Sequence, residues 1–169
     1  MSGALGDFTA AVQLNPTNPT LRFCRASIYI ARGELDNAIA DLDTHVQLNP
    51  EDANAFAMRA HCHTEEGHYK EAAEDLSKVI LLAPDNPRAC NNLAWLRAAC
   101  PDDAVRDGKA ALELATKACD LTEWAQWQYV DTLAGAYAEA NNFEKALEYQ
   151  KKAIGMNGDR KSTRLNSSH

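Results

Sequence analysis

The segment from His61 to His68 holds the densest group of potential metal ligands in the chain. His61 and Glu65 are four residues apart and would share one face of a helix, whereas His61 and His63 would not. A metalloprotease helix carries two histidines on one face with a glutamate between them, and this segment lacks that arrangement. We therefore expect no metal site here and interpret the histidines as surface or packing residues.

Cysteine and hydroxyl side chains give no stronger sign of a reactive site. The five cysteines are scattered without a Cys-x-x-Cys pair, at Cys24, Cys62, Cys90, Cys100 and Cys119. This pattern argues against a disulfide framework and a structural zinc site, and a reducing compartment such as the cytoplasm is the simplest location. Ser27, Thr64 and Thr132 have no base near them in sequence, although an activated nucleophile needs a base and an orienting group.

Sequence signatures of the common enzyme classes are missing as well. The chain has no nucleophile elbow, no glycine-rich phosphate loop and no kinase motif. We therefore expect a protein that is not an enzyme and that uses no metal and no cofactor.

The composition limits the possible partners. The chain has 169 residues, enough for one ordinary domain, and no apolar run approaches the length of a membrane span. Its formal net charge is −7, which disfavours binding to nucleic acid and to anionic membranes. An acidic surface permits a basic peptide partner only weakly, and we interpret it first as a solvated surface that serves solubility.

Three segments that end in proline reveal a repeat. Each proline stands 34 residues after the previous one, in Val12–Pro16, Val46–Pro50 and Ile80–Pro84. When that proline is counted as position 32 of a unit, position 20 is always alanine, at Ala4, Ala38, Ala72 and Ala146. Position 15 carries residues that tolerate a positive φ, at Gly33, Gly67 and Asn141. Such spacing predicts pairs of closely packed helices joined by tight turns.

On these residues the chain resembles the tetratricopeptide repeat family. The resemblance implies an all-α, right-handed α-solenoid of helix–turn–helix repeats, with about nine helices in this chain. Repeats of this kind contact only their neighbours and form extended binding surfaces.

The repeat register also predicts the domain organisation. We expect a half-repeat at 1–17, repeats at 18–52 and 53–86, a variant repeat at 87–124 and a further repeat at 125–158. The variant has an inter-helix loop about five residues longer than a standard turn, in which Pro101 ends one helix and Asp107 caps the next. Residues 88–155 resemble a variant found in large bacterial tetratricopeptide proteins.

Both ends of the chain depart from the pattern. Residues 159–169 are polar, lack helical periodicity and resemble one translated frame of a common sequencing-adapter oligonucleotide, so we expect a disordered, artefactual tail. Met1 precedes only the second half of a repeat, which is typical of an internal piece of a longer protein. Cut ends would bare apolar side chains, and we expect self-association through them. The side chains concerned are Leu5, Phe8, Val12, Leu147, Ile154 and Met156.

The resemblance also implies where a ligand binds. In this family the first helix of each repeat lines a concave groove, and positions 2, 5, 9 and 12 form its stripe. The candidate peptide-binding residues are Phe23, Ser27, Ile30, Asn54, His61, Thr64, Arg88, Asn91, Trp95, Gln128 and Asp131. The alternative is that Phe23 and Trp95 are core residues of neighbouring helices. Trp95 fits the two roles equally well, because aromatic side chains serve as binding anchors and as packing residues.

One subclass of the family can be tested directly. Chaperone-binding members hold a C-terminal carboxylate with lysine, arginine and asparagine at set positions, and only Arg88 and Asn92 agree here. The remaining three positions carry Phe23, Ser27 and Met58. We therefore expect no chaperone carboxylate clamp.

These observations predict a non-catalytic scaffold that binds a protein or peptide of unknown identity in the groove. An alternative is an accessory segment of a larger bacterial enzyme or signalling protein whose catalytic domain lies elsewhere. A structural spacer without any groove ligand is a third interpretation.

Overall fold

A computed structural model describes the backbone of residues 2–166 and the side chains of residues 3–158. The described part of the chain contains nine α-helices and no strand. The helices are α1 Ser2–Leu14, α2 Pro19–Ala31, α3 Leu35–Leu48, α4 Ala53–Glu65, α5 Tyr69–Leu82, α6 Pro87–Ala99, α7 Gly108–Leu121, α8 Trp127–Glu139 and α9 Phe143–Asn166. The all-α prediction is confirmed.

The helices fall into two compact units, Met1–Pro84 and Asp85–His169. In the first unit each helix from α1 to α4 packs against the next one along the chain. In the second unit α6 contacts α7 and α8, α7 contacts α8, and α8 contacts α9. Each unit therefore consists of helices that bury their apolar stripes against one another.

The tight turns and the helix starts follow the 34-residue period. The backbone φ is 72° at Gly33, 78° at Gly67 and 60° at Asn141, so the prediction for this turn position is confirmed. Asn18 and Asp52 each accept a backbone N–H bond of 3.0 Å at the start of α2 and α4. Asn86 accepts the corresponding bond at the start of α6. Each such cap contributes on the order of 1 kcal/mol to the free energy of unfolding.

The enlarged loop between α6 and α7 is held from several sides. It spans eight residues, 100–107, against three between α2 and α3. Arg97 Nη1 donates to the Val105 carbonyl at 3.0 Å, and the side chain of Val105 is buried. Arg106 bonds the Cys100 carbonyl and pairs with Asp103 and Glu139. This loop is therefore a packed element of the second unit.

The predicted cap at Asp107 is confirmed. Its Oδ1 accepts from the backbone N–H groups of Lys109 and Ala110, both at 3.1 Å. The next residue, Gly108, begins α7 where that helix approaches the end of α8. A Cβ at Gly108 would lie 3.0 Å from the backbone nitrogen of Ala140. The sequence therefore needs glycine here for a close approach of two helices.

The ends differ in part from the sequence-based expectation. Val12 is buried, because α1 packs against α2, and Met156 is half-buried against the core of the second unit. Leu147 and Ile154 are exposed, as expected. The backbone of α9 stays helical to Asn166, where we expected disorder from residue 159; residues 167–169 lie outside the described part.

Candidate peptide-binding surface

In the first unit, the candidate residues of α2 are mostly engaged within the protein. The ring of Phe23 is half-buried, and its centroid lies 5.3 Å from that of His45 on α3. Ser27 is exposed, but its Oγ donates to the Phe23 carbonyl at 3.0 Å. Ile30 is half-buried. The helix α2 therefore offers a partly covered apolar surface, and the Ser27 hydroxyl is occupied by its own helix.

The candidates on α4 are more open. Asn54 and His61 are exposed, whereas Thr64 is half-buried and its Oγ1 donates to the Ala60 carbonyl at 2.8 Å. Through α4 the first unit can thus present an amide and an imidazole to a ligand.

In the second unit, α6 carries the most informative candidates. Arg88 is exposed, and the Trp95 side chain is 42 % exposed, which excludes a core role for it. Asn91 lies between them at helical spacing and is half-buried. The Asn91 Oδ1 atom itself is buried, and within the described residues no group donates a hydrogen bond to it. An unsatisfied buried acceptor costs about 1–3 kcal/mol, so such a group is a candidate ligand contact.

The adjoining helix α8 adds polar side chains. Gln128 is exposed, and Asp131 accepts a bond of 2.8 Å from Gln150 Nε2 on α9. Gly135 lies one turn further along, and apart from its chain neighbours and the nearby backbone of α8, no described atom comes within 4 Å of the position that a Cβ would occupy. This part of α8 therefore presents bare backbone.

Comparison with known proteins supports the repeat assignment. Models of the tetratricopeptide repeat match residues 2–53, 53–86 and 130–160. The chain belongs to the tetratricopeptide repeat family. No curated protein sequence matches it.

Solved structures resemble this tetratricopeptide chain closely in fold. A crystal structure of MamA is 19% identical, with a TM-score of 0.83 over 95% of this chain and 91% of that one. MamA from Desulfovibrio magneticus RS-1 is also 19% identical, with a TM-score of 0.81 over 94% and 86%. TTC0263, a thermophilic protein of the same repeat type in Thermus thermophilus, is 16% identical, with a TM-score of 0.63 over 97% and 87%.

At such identities these likenesses show the fold alone. They confirm an all-α tetratricopeptide solenoid, the fold class of protein-interaction scaffolds.

A feature that the sequence analysis missed is a buried ion pair that recurs with the tetratricopeptide period. The Arg25 guanidinium donates two hydrogen bonds to the Asp41 carboxylate, at 2.6 and 2.7 Å. The Arg59 guanidinium likewise donates two to Asp75, at 2.8 and 2.6 Å. Both aspartates are buried, and hydrogen bonding to Asp75 raises the pKa of Arg59. The signal was available, since both pairs are separated by 16 residues and the two arginines by 34.

Three further polar contacts hold helices of the first unit together. Arg59 on α4 also donates to Asp43 on α3 at 2.7 Å. The buried His45 lies with Nδ1 2.8 Å from the Pro19 carbonyl and with Nε2 2.9 Å from Asp52, the residue that caps α4. These polar contacts fix the positions of α2, α3 and α4, which carry the candidate residues of this unit.

In the histidine segment His63 packs inside the protein, while His61 and His68 are exposed. Within the described residues no three His, Cys, Asp or Glu side chains converge as metal ligands. His63 is half-buried with its ring 5.7 Å from that of His68, and burial lowers the pKa of His63. In other repeats tyrosine occupies the same position, at Tyr29 and Tyr137.

The cysteines are buried, apart from Cys24, which is half-buried. Burial raises the pKa of Cys62 and of Cys119 to about 11, and it also raises those of Cys90 and Cys100. These four thiols therefore stay protonated near neutral pH, and the nucleophilic thiolate form is disfavoured.

Among the helices that the structure describes, none combines the length and the apolar character needed to cross a membrane.

Proposed function

We propose that this chain binds an extended peptide segment of a partner protein through the first helices of its repeats, without catalysing a reaction. The observation that carries the proposal is the buried, unpaired Oδ1 of Asn91 one turn from the exposed Trp95. The face formed by α6 and α8 in the second unit is the principal site. The open residues of α4 form a weaker polar surface in the first unit.

The chemistry of Asn91 indicates what it would bind. Its free atom is an acceptor, so it needs an N–H or O–H donor from a ligand. An extended peptide offers one unpaired backbone N–H every second residue along an edge, independent of its sequence. A hydrogen bond from a peptide N–H would satisfy the buried Asn91 Oδ1 atom. Binding would therefore remove the free-energy penalty that the unpaired acceptor imposes on the free protein.

Trp95 and Gly135 supply the apolar part of the site. The indole presents a large rigid surface at low conformational cost, and such residues are favoured as binding anchors. Gly135 takes the same repeat position on α8 as Trp95 does on α6, and it leaves open space where other residues carry a side chain. An aliphatic or aromatic side chain of the peptide would fit this space.

Charge favours a neutral or basic ligand. The chain carries a net charge of −7, and near the site Asp131 is a carboxylate held in place by Gln150. Arg88 is the exposed cation on the α6 part of the same face, and it can meet one acidic group or the carbonyl groups of the peptide.

The test is selection of short random peptides on the full chain, followed by direct affinity measurement of a selected peptide. Asn91→Leu removes the unpaired acceptor, so it should raise the free energy of unfolding by about 1 kcal/mol while it weakens the peptide at least about tenfold. Trp95→Ala should abolish binding with little effect on stability. Gln47→Leu, an exposed amide on α3, is the matched control and should change neither quantity.

Two results would contradict the proposal. The first is a library from which no peptide is selected by the full chain. The second is an Asn91→Leu variant that unfolds more easily and binds the peptide unchanged, since that would make the amide a structural group.

A further inference from the structure

The last helix of the second unit has an exposed apolar stripe. Phe143 is 67 % exposed, Leu147 57 % and Ile154 64 %. At about 100° per residue, these three side chains fall within about 40° of one another around the axis of α9. A different face of α9, about 100–140° around the axis from the stripe, packs on α8 and the core through Ala153, with Tyr149 beside it.

The same repeat positions are covered elsewhere in the chain. Leu35 and Ile39 on α3 correspond to Phe143 and Leu147, and both are half-buried. Val46 corresponds to Ile154 and is buried. The helix α3 packs against the following helix α4, whereas in the described part of the chain no helix follows α9. The stripe is thus a helix-packing surface without a helix on it.

We propose that a second copy of this chain covers the stripe, with the two α9 helices packed antiparallel about a two-fold axis. Such an axis, placed midway between Phe143 and Ile154, brings Phe143 of one copy level with Ile154 of the other. Leu147 of each copy then lies near the centre. The surface is self-complementary because the same apolar residues face each other in reverse order.

Charge complementarity selects the antiparallel arrangement. Glu144, Glu148 and Lys151 are exposed on a single flank of the stripe, by the same helical geometry. A two-fold axis perpendicular to both helices keeps that flank on the same side in both copies. Lys151 of one copy then lies level with the space between Glu144 and Glu148 of the other. A parallel pair would place this charged flank against the opposite flank, which carries the uncharged Gln150.

The size of the stripe predicts a weak dimer. Six side chains of this kind bury well under about 1,000 Å² in total, below the range of stable complexes. The expected association is therefore in rapid exchange and visible at high protein concentration. It rests on observations separate from those behind the proposed function.

Sedimentation equilibrium of the full chain over a range of concentrations tests the proposal. Dimers should appear at high concentration, and Leu147→Glu should weaken dimerisation by more than about tenfold, because it places a charge in the apolar centre. Leu81→Glu is the matched control, since Leu81 on α5 is 74 % exposed and lies outside the stripe. Lys151→Glu should weaken the dimer at low salt, and the double variant with Glu148→Lys should restore it.

Crosslinking distinguishes the two orientations. In an antiparallel dimer, a chain with Phe143→Cys couples to a chain with Ile154→Cys and not to its own kind. The unmodified chain, with buried or half-buried cysteines, is the control. Coupling between two Phe143→Cys chains would overturn the antiparallel arrangement. A monomer at every concentration, or a dimer indifferent to Leu147→Glu, would overturn the proposal and leave the stripe to a helix of another protein.

Discussion

Gly108 is the residue at which a single methyl group should have the clearest effect on the second unit. A Cβ there would lie 3.0 Å from the backbone N of Ala140, 3.1 Å from the carbonyl carbon of Glu139 and 3.2 Å from the Cα of Ala140. All three atoms belong to the backbone at the end of α8, so no side chain can rotate away. Gly108→Ala therefore forces the start of α7 and the end of α8 apart by a few tenths of an ångström.

Two opposing terms set the magnitude. Overpacking of this kind costs about 1–3 kcal/mol, while the helix propensity of alanine over glycine returns up to about 1 kcal/mol. The return is smaller in the first turn of a helix, where the backbone N–H groups make no intrahelical hydrogen bond. We expect Gly108→Ala to lower the free energy of unfolding by about 1–2 kcal/mol.

Gly155→Ala is the matched control. Gly155 lies within α9, is exposed, and none of the described atoms approaches within 4 Å of its Cβ position. Only the helix-propensity term remains, so Gly155→Ala should raise the free energy of unfolding by about 0.5–1 kcal/mol. Urea unfolding followed by circular dichroism measures both. Equal stabilisation by the two substitutions would refute the close approach of α7 and α8.

Three further predictions use the same unfolding assay. Asp107→Ala should cost about 1 kcal/mol through the lost cap of α7 and should leave peptide affinity unchanged. Arg59→Met should cost about 3 kcal/mol or more, because it leaves Asp75 buried without its partner, and adding Asp75→Leu should recover most of the loss. Burial lowers the pKa of His63 below its ordinary 6.5, so the unfolded chain takes up the proton first, and stability should fall as the pH drops below about 6.5. His63→Tyr should flatten this pH dependence; an unchanged slope would exclude His63 as its source.

The period of the sequence carries most of the local structure. Gly33, Gly67 and Asn141 were expected to turn with positive φ because three different helix pairs place a tolerant residue at the same offset, and their backbones do so. The long loop before Asp107 was expected because about five extra residues separate the two helices of that repeat and shift it out of the 34-residue register. Turn positions that recur every 34 residues are therefore predictable from the chain alone, since they depend on neighbours close in sequence.

Features that depend on particular tertiary contacts were not predictable in this way. Val12 was expected to be partly exposed on one side because its repeat lacks a first helix, but packing of α1 on α2 buries it. Whether the Asn91 Oδ1 atom accepts a hydrogen bond depends on atoms from other helices. A pattern of residue types therefore cannot predict that this oxygen is unpaired. The assignment of the binding residues stays a prediction for the same reason, because it rests on which side chains a ligand meets.

The Arg–Asp pairs show how a hydrophobic pattern can miss a core contact. Repeat positions 7 and 23 carry Arg25 and Asp41 in one repeat, and they carry Leu133 and Tyr149 in the last one. Leu133 is buried in the core of the second unit, and Tyr149 packs against that core. The same two positions are thus filled either by an ion pair with full hydrogen bonding or by an apolar pair. The two kinds of pair contribute comparably to the free energy of unfolding as long as neither partner is missing.

The two choices differ in what else they join. In the second regular repeat, the guanidinium of Arg59 has donors left over for Asp43, so the charged version links α4 to the preceding helix α3. The apolar version places Tyr149 between Tyr137 and Trp124, with ring centroids 5.3 and 6.0 Å apart, and so joins α9 to α8 and to the loop after α7. Among the described residues, the charged pairs therefore stabilise the packing of α2 to α5 in the first unit. The aromatic stack stabilises the second unit, which carries Asn91 and Trp95.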